Sequence, residues 1–433
     1  MTATFRPRDR SLEAICLYAI FAATLSIFLD LSLKSGVRIR PFDPLVLVSG
    51  AILLVAARAG LRVSTGLLLY AIYAGVNALS AFKGGTGNGL RETIQSMEIV
   101  LYAAIIASYL DQIDWRKAGT LFLAGLVAIM IYNILWHVSH GFYSGWKMLN
   151  EPKFTFTYIQ VALFIYLYIR NRSLSLLEAV LLGVLFVILV QSGERKALLL
   201  FVAYTGLMVL FGRISFLLVV AALPAVLLVG SILASSDEYV GRQFNSIKAY
   251  LTTDRETMSI DEFVVTGDEQ TLSNAQRLFA KRLSEEIYED KYWLGVGTNG
   301  YLDYVTDRFS DLPPYLLVGI HNEFQRARTE GGMVGYVVFL VPWLRVLAFI
   351  ALRLFSRNPN ERDQAHVALL AILGLFVHAR FEGSGLHSQV NIVFAFLLPE
   401  LAARVRVQHP GLQIAGPLRP VLRGRPAPGG NAG

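Results

Sequence analysis

The run ISFLLVVAALPAVLLVGSILA, Ile214–Ala234, decides the fold class. It holds no charged side chain and reaches the roughly 18 to 20 apolar residues that a helix needs to cross the hydrocarbon core of a bilayer. A second run, Leu174–Gln191, approaches that length, and similar runs recur along the whole chain. None of them alternates polar and apolar residues with a period of two, so a membrane barrel is disfavoured and helices must satisfy the backbone polar groups. Composition agrees: 54% of the 433 residues are hydrophobic and 16% charged, against about a quarter charged in a soluble domain. A soluble fold is excluded.

Working outward from these runs, apolar segments fall near Glu13–Leu33, Pro44–Ala57, Val63–Phe82, Ile94–Leu110, Gly119–Val138, Phe154–Ile169, Leu174–Gln191, Ala197–Gly212 and Ile214–Ala234. Three more follow at Gly332–Leu352, Ala365–Val377 and Val390–Ala403. The expected fold is an all-α polytopic membrane protein of about twelve transmembrane helices. Residues 1–234 carry the first nine, 235–331 form one large loop, 332–404 carry the last three, and 405–433 form a tail. That tail is rich in proline, glycine and arginine and is expected to be disordered.

The net charge of +7 reports topology and anionic headgroups in such a chain, and it argues against nucleic acid as a partner. Placing the N-terminus in the cytoplasm collects most short-loop arginines on that side, among them Arg58, Arg62, Arg170, Arg172 and Arg213. Both termini are then cytoplasmic and the large loop is extracytoplasmic. The basic Met1–Arg10 leads into an apolar stretch too long for a signal-peptide core, which reads as a retained first helix. The single cysteine, Cys16, excludes an internal disulfide and a cysteine metal site.

The large loop has helical signals of its own. Ser273-Asn-Ala-Gln276 fits a capping box, and Leu278, Phe279, Leu283 and Ile287 follow at helical spacing, so an amphipathic helix is expected over about Asn274–Asp290. A second helix is expected to start near His321 or Asn322 and run through Gly331-Gly332 into the next membrane helix. Gly295-Val-Gly297-Thr-Asn-Gly300 has the letters of a dinucleotide fingerprint. That motif needs a strand before it; a helix precedes it here, so it reads as a tight turn.

Three constellations carry chemistry. Gly193-Glu-Arg195-Lys196 joins two apolar runs with almost no polar linker, which places Arg195 at the membrane surface, where ionisable groups are costly and pair or serve function. A guanidinium matches phosphate oxygens; a hairpin with snorkelling charges is the plainer alternative. Arg277, Lys281 and Arg282 crowd positive charge on the loop helix, with Glu285 and Glu286 able to balance it internally or an anionic substrate to do so. His321-Asn322-Glu323 opens the closing helix, where a histidine near its ordinary pKa of 6.5 suits a general base toward a hydroxyl; a helix-terminal packing role is the plainer reading. His137 and His140 share a helix face without cysteines or carboxylates to complete a metal set. No Asp-X-Asp pair occurs. Asp30 and Arg345 are charges inside apolar segments, a feature a transporter would share.

Taken together these stretches resemble the O-antigen ligase and polymerase family of bacterial envelope glycosyltransferases. The resemblance rests on Ser192-Gly-Glu-Arg195-Lys-Ala-Leu-Leu, on Arg277 followed by Trp293-Leu-Gly295-Val-Gly297, on His321-Asn322-Glu323-Phe324, and on Glu330-Gly331-Gly332-Met-Val-Gly335. Lys281 stands where the family commonly has tryptophan, and Tyr292-Trp293 replaces a usual proline. The resemblance implies a GT-C-like fold in the bacterial inner membrane with a periplasmic loop. It further implies an undecaprenyl-pyrophosphate-linked glycan as donor and lipid A core as acceptor, with membrane lipids around the chain.

Arg195 and Arg277 are then expected to hold the pyrophosphate and His321 to act as base. Lys196, Lys281, Arg282, Asn322 and Glu323 support them. Neither metal nor cofactor is expected, and displacement inverts the anomeric centre. A polymerase is the rival within the family, and a lipid-linked oligosaccharide transporter the rival outside it; a transporter would show inverted repeats and broken helices at the midplane.

Overall fold

In a computed structural model, the structure describes residues 10–26, 31–32, 38–39, 42–56, 63–84, 87–109, ten positions between 117 and 131, 152–170, 174–192, 195–217, 219–220, 224, 269–308, 318–381 and 385–407. The expected fifth and ninth membrane helices lie mostly outside these residues. So do Asp30, His137, His140, residues 235–268 of the loop and the tail from residue 408.

The helices are α1 (Arg10–Ser26), α2 (Phe42–Ala56), α3 (Thr65–Gly84), α4 (Gly87–Tyr109), α5 (Pro152–Arg170), α6 (Leu176–Ser192) and α7 (Arg195–Leu210). The loop supplies α8 (Glu269–Asp290) and α9 (Gly300–Arg308), and α10 (Glu323–Arg353), α11 (Pro359–Phe381) and α12 (Gly385–Ala402) follow. Two short strands, β1 (Leu31–Ser32) and β2 (Arg38–Ile39), pair antiparallel between α1 and α2. Among the described residues three helical stretches, Thr65–Phe82, Glu323–Arg353 and Pro359–Phe381, are long and apolar enough to cross a membrane; seven shorter apolar helices accompany them.

Two expectations shift. The loop helix α8 starts at Glu269, so Ser273 lies inside it and the capping box does not mark its start. Ala365–Val377, short on hydropathy, becomes the full-length α11 once its polar first turns, Pro359–Gln364, are counted. Polar residues at helix ends hide from a hydropathy window because they sit where water or headgroups begin.

At the centre, α10 packs against α3, α11 and α12, while α12 also reaches α4, and α5 and α7 close against α11. The interior is aromatic: Tyr70 meets Phe396 edge-on at 5.4 Å between ring centres, and Phe324 stacks its edge on Phe339 at 5.2 Å. Leu344, Leu347 and Leu352 of α10 point outward and are exposed, as expected of a face that meets lipid rather than water.

Gly374 lets α11 come close to its neighbours. An added Cβ would stand 2.2 Å from Val161 Cγ2 of α5 and 2.6 Å from the Tyr204 hydroxyl of α7. In the C-terminal half of α10, Arg345 donates to Glu400 Oε1 at 2.5 Å and to the Phe396 carbonyl at 2.9 Å, and the same carboxylate accepts the Gly66 amide of α3 at 2.9 Å. A charge inside an apolar segment thus finds its counter-ion on a neighbouring helix, as burial demands.

The loop elements hold a core of their own. Ala280, Leu283 and Ile287 of α8 pack with Tyr301 and Val305 of α9 and with Ile320, with Phe279 against them. Burial of Leu283, Ile287, Val305 and Ile320 is worth roughly 1.5–3 kcal/mol each, which makes this unit a folded cap rather than a slack connection.

Candidate functional site

The closing helix is built as its sequence requires. Asn322 has extended backbone (φ −129°, ψ 114°) and its side-chain oxygen accepts the amides of Phe324 at 3.0 Å and Gln325 at 3.4 Å, which makes it the N-cap of α10. His321 therefore stands immediately before the helix, half-buried. At 1.5 Å per residue α10 is about 46 Å long, longer than the ~30 Å of hydrocarbon. Its helical geometry breaks at Gly332 (φ 61°, ψ −160°), which divides a membrane-length segment from the short first stretch carrying Glu323, Arg326 and Glu330.

That break is a docking point for the glycine turn. After α8 the chain turns through Gly295 (φ 62°), Gly297 (φ 96°) and Asn299 (φ 58°), conformations that favour glycine. The turn hydrogen-bonds backbone to backbone with α10: Val296 N to Thr329 O at 3.2 Å, Gly297 N to Glu330 O at 2.9 Å, Met333 N to Tyr292 O at 2.7 Å and Val334 N to Trp293 O at 3.2 Å. A Cβ on Gly295 would lie 2.4 Å from the Glu330 carbonyl oxygen, and one on Gly332 2.5 Å from the Leu294 and Gly295 nitrogens. Ser80 of α3 donates to the carbonyls of both Leu294 and Glu330, and Thr298 donates to the Asn77 carbonyl at 2.9 Å. Glycine at both positions is a matter of backbone meeting backbone. The tight-turn reading of this motif holds, and helix α8 precedes it.

Beneath the turn lies a pocket walled by Tyr70, Tyr73 and Asn77 of α3, by Arg326 and Glu330 of α10, and by Gln389 of α12, with Thr298, Ser96, Glu323 and Ser388 completing its polar lining. Arg326 Nε donates to Glu330 Oε2 at 2.9 Å, and its Nη2 reaches Asn299 Oδ1 at 3.5 Å. Glu323 is 2% exposed. It accepts hydrogen bonds from the Ser388 hydroxyl and, at 3.2 Å, from Asn391 Nδ2, while His378 Nε2 of α11 stands 3.7 Å away. The ends of α3, α10, α11 and α12 therefore meet at one end of the bundle.

The sequence-derived site residues are distributed unevenly. Glu323 lines the pocket, and Asn322 and His321 sit at its edge in sequence, one and two residues earlier. Arg277 lies within α8 rather than at its start, and is exposed. Among the described residues no ion pair engages Arg277 or Arg282, whereas Lys281 pairs with Glu285 across one turn at 4.0 Å, both side chains about half exposed, a contact worth a few tenths of a kcal/mol. The internal balance foreseen for the basic cluster thus applies to Lys281. Arg195 opens α7, and its side chain is outside the described residues; Lys196 beside it donates to the Phe381 carbonyl at 3.4 Å at the end of α11.

Helix α8 is strapped to α10 by Gln325 Nε2, which donates to the Lys281 carbonyl at 3.1 Å and to the Ser284 hydroxyl, and by Arg328 lying 3.9 Å over the Tyr288 ring. Arg326, Tyr73, Asn77, Ser388 and Asn391 escaped the sequence reading, and Glu330 entered it only as the first residue of the Glu330–Gly335 run. Arg326 and Glu330 had a signal, a helical i, i+4 pair following His321; the others lie on distant helices and had none.

Residues 179–340 match the family model described as O-antigen ligase. The chain carries an O-antigen ligase family domain. That domain runs from within α6 to within α10 and so includes Arg195, Arg277, His321, the glycine turn and the first turns of α10, while the α3 and α12 walls of the pocket come from outside it. No curated protein matches the chain. With its apolar helices, the O-antigen ligase domain identifies an integral membrane protein with a ligase- or polymerase-like glycosyltransferase function.

Proposed function

We propose that this O-antigen ligase domain protein transfers a glycan from undecaprenyl pyrophosphate to a sugar hydroxyl of lipid A core, at the periplasmic face of the inner membrane. The observation that carries the reading is the placement of His321. It directly precedes the capped start of α10, in a chain whose family domain contains that whole region, two residues before Glu323, which lines a polar pocket at one end of an apolar bundle. A polyprenyl tail rests in lipid while its head reaches this end. His321 removes the proton from the attacking hydroxyl as that oxygen bonds to the anomeric carbon. The bond from the anomeric carbon to the pyrophosphate oxygen breaks on the opposite side, which inverts the centre.

The leaving pyrophosphate takes the electron pair and is held by Arg277 and Arg195, with Lys196, Arg282 and Lys281 adding positive field and no metal taking part. Exposure of Arg277 with no acidic partner among the described residues supports that role. Twelve membrane crossings, a periplasmic loop over 235–331 and cytoplasmic termini belong to the same reading.

The test is incubation of the purified chain with undecaprenyl-pyrophosphate glycan and either core lipopolysaccharide or a second lipid-linked repeat. Product on the core acceptor alone is expected; product on the second repeat alone makes the protein a polymerase. His321→Ala is expected to abolish transfer with the fold intact, and full activity in that variant overturns the assignment.

A further inference from the structure

The outward face of α10 has the length of one bilayer core. From Val334 to Leu352 every exposed side chain on this helix is apolar, among them Val337, Leu344 and Leu347. At 1.5 Å per residue that run is about 28 Å long, close to the ~30 Å of hydrocarbon. Polar groups bound it at both ends. Arg353, which donates to Gln364 Oε1 at 2.9 Å, follows Leu352, and Arg328 and Glu330 precede the break at Gly332.

The edge of the run at Val334 is where the glycine turn docks. Tyr292, Trp293 and Leu294, consecutive residues just before that turn, are all exposed, Trp293 to 68%. Their backbone is tied to α10 at this level, since the Tyr292 carbonyl accepts the Met333 amide and the Trp293 carbonyl accepts that of Val334. The rings are braced as well: Trp293 meets Tyr292 edge-on at 5.2 Å, and Tyr292 lies 5.1 Å from Tyr288, whose hydroxyl donates to Met333 Sδ at 3.5 Å. A second helix ends at the same level. Ser80 of α3 donates to the Leu294 carbonyl, and beside it Leu79 and Phe82, at the end of the apolar stretch Thr65–Phe82, are also exposed. A cluster of exposed apolar side chains marks a surface that meets something other than water, and tryptophan and tyrosine favour the zone where hydrocarbon gives way to headgroups.

We propose that Tyr292, Trp293 and Leu294 seat the loop cap in the interfacial layer of the bilayer, with the Trp293 indole at headgroup level. The occupant is the lipid surface because the patch adjoins the lipid-facing stripe of α10 and lies where that stripe has covered one hydrocarbon thickness. Being aromatic and apolar, the seat requires no anionic lipid. The cap is then held by two means, its backbone joint to α10 and this contact with lipid. Neither depends on the transfer reading.

The experiment measures depth by fluorescence quenching. The full chain is reconstituted in phosphatidylcholine vesicles carrying a nitroxide at acyl carbon 5 or carbon 12, and the Trp293 signal is the emission of wild type minus that of Trp293→Phe. Carbon 5 is expected to quench this signal about twofold more than carbon 12, with or without added phosphatidylglycerol. Leu344→Trp in the Trp293→Phe chain sets the register: position 344 lies ten residues and about 15 Å along α10 from Val334, so its signal is expected to quench more from carbon 12. Trp293→Tyr supplies the same difference signal should Trp293→Phe fail to fold.

A Trp293 signal reached by iodide from the water and by neither nitroxide puts the patch in solvent and overturns the proposal. A signal reached by none of the quenchers means that protein covers the ring, whether residues 235–268 or a second copy of the chain, and overturns it equally. Deeper quenching of Trp293 than of Leu344→Trp overturns the placement at the interface.

Discussion

Replacing Gly332 with alanine tests how the loop cap is joined to the bundle. The position has φ 61° and ψ −160°, a region essentially closed to residues with a Cβ at a cost of about 1–3 kcal/mol. The new methyl would also stand 2.5 Å from three backbone atoms of Trp293, Leu294 and Gly295, which cannot rotate away as a side-chain tip would. Opposing this are the four backbone hydrogen bonds that tie the glycine turn to α10, each worth about 1 kcal/mol net. Strain and overlap together are of the same size as what holds the joint, so the docked state loses about 3 kcal/mol against an undocked one.

That loss is roughly a hundredfold in the docking equilibrium. Hydrogen–deuterium exchange on the full chain reads it directly: the amides of Val296, Gly297, Met333 and Val334 are expected to lose about a hundredfold in protection, with those in α11 unchanged. Gly319→Ala, whose Cβ meets nothing within 4 Å, is the control. Unchanged protection of the four amides in Gly332→Ala would refute the account of these glycines as sites of backbone contact.

Other perturbations follow the same reasoning. Arg345→Met leaves Glu400 and its bond to Gly66 without their counter-ion and is expected to destabilise the bundle by about 2–4 kcal/mol, much of it recovered in Arg345→Met/Glu400→Gln; thermal melting in detergent checks both. Gly374→Ala drives a methyl into Val161 and Tyr204 and is expected to cost about 1–3 kcal/mol as overpacking, read by the same melt. Asp290 accepts the Tyr304 hydroxyl at 3.0 Å and has Lys291 at 3.3 Å; these hold its carboxyl below the ordinary value of 3.8. A lowered folded pKa contributes stability above 3.8 that fades as pH falls through the folded value. The excess exchange of α9 amides in Asp290→Asn over wild type is therefore expected at pH 7 and to vanish under strongly acid conditions.

The loop helix, the helix opened by Asn322 and the turn at Gly295–Gly297 were legible because each is a local event. Apolar spacing, a capping side chain and backbone conformations favouring glycine act within a few residues of sequence. The start of α8 is not legible for a related reason: Ser273 can cap a helix but does not oblige one to begin, and the turn before it is helical as well. The candidate site was half legible. His321, Asn322 and Glu323 announce themselves as a cluster, and Arg326 with Glu330 sits one and two turns further on.

The sequence alone determined that this chain is a helical membrane protein, because the cost of an unpaired backbone group in lipid leaves no other use for runs such as Ile214–Ala234. It determined which residues carry charge at helix ends and which glycines must bend. Tertiary structure decided what those charges face. Packing α10 against α3, α11 and α12 buries Glu323 beside Ser388, Asn391 and His378, turns Arg326 onto Glu330, and sets Arg345 against Glu400. None of these partners is near in sequence except Glu330. Complementarity across helices depends on crossing and rotation of whole elements, and that is fixed by the fit of side chains between them, which no local pattern encodes.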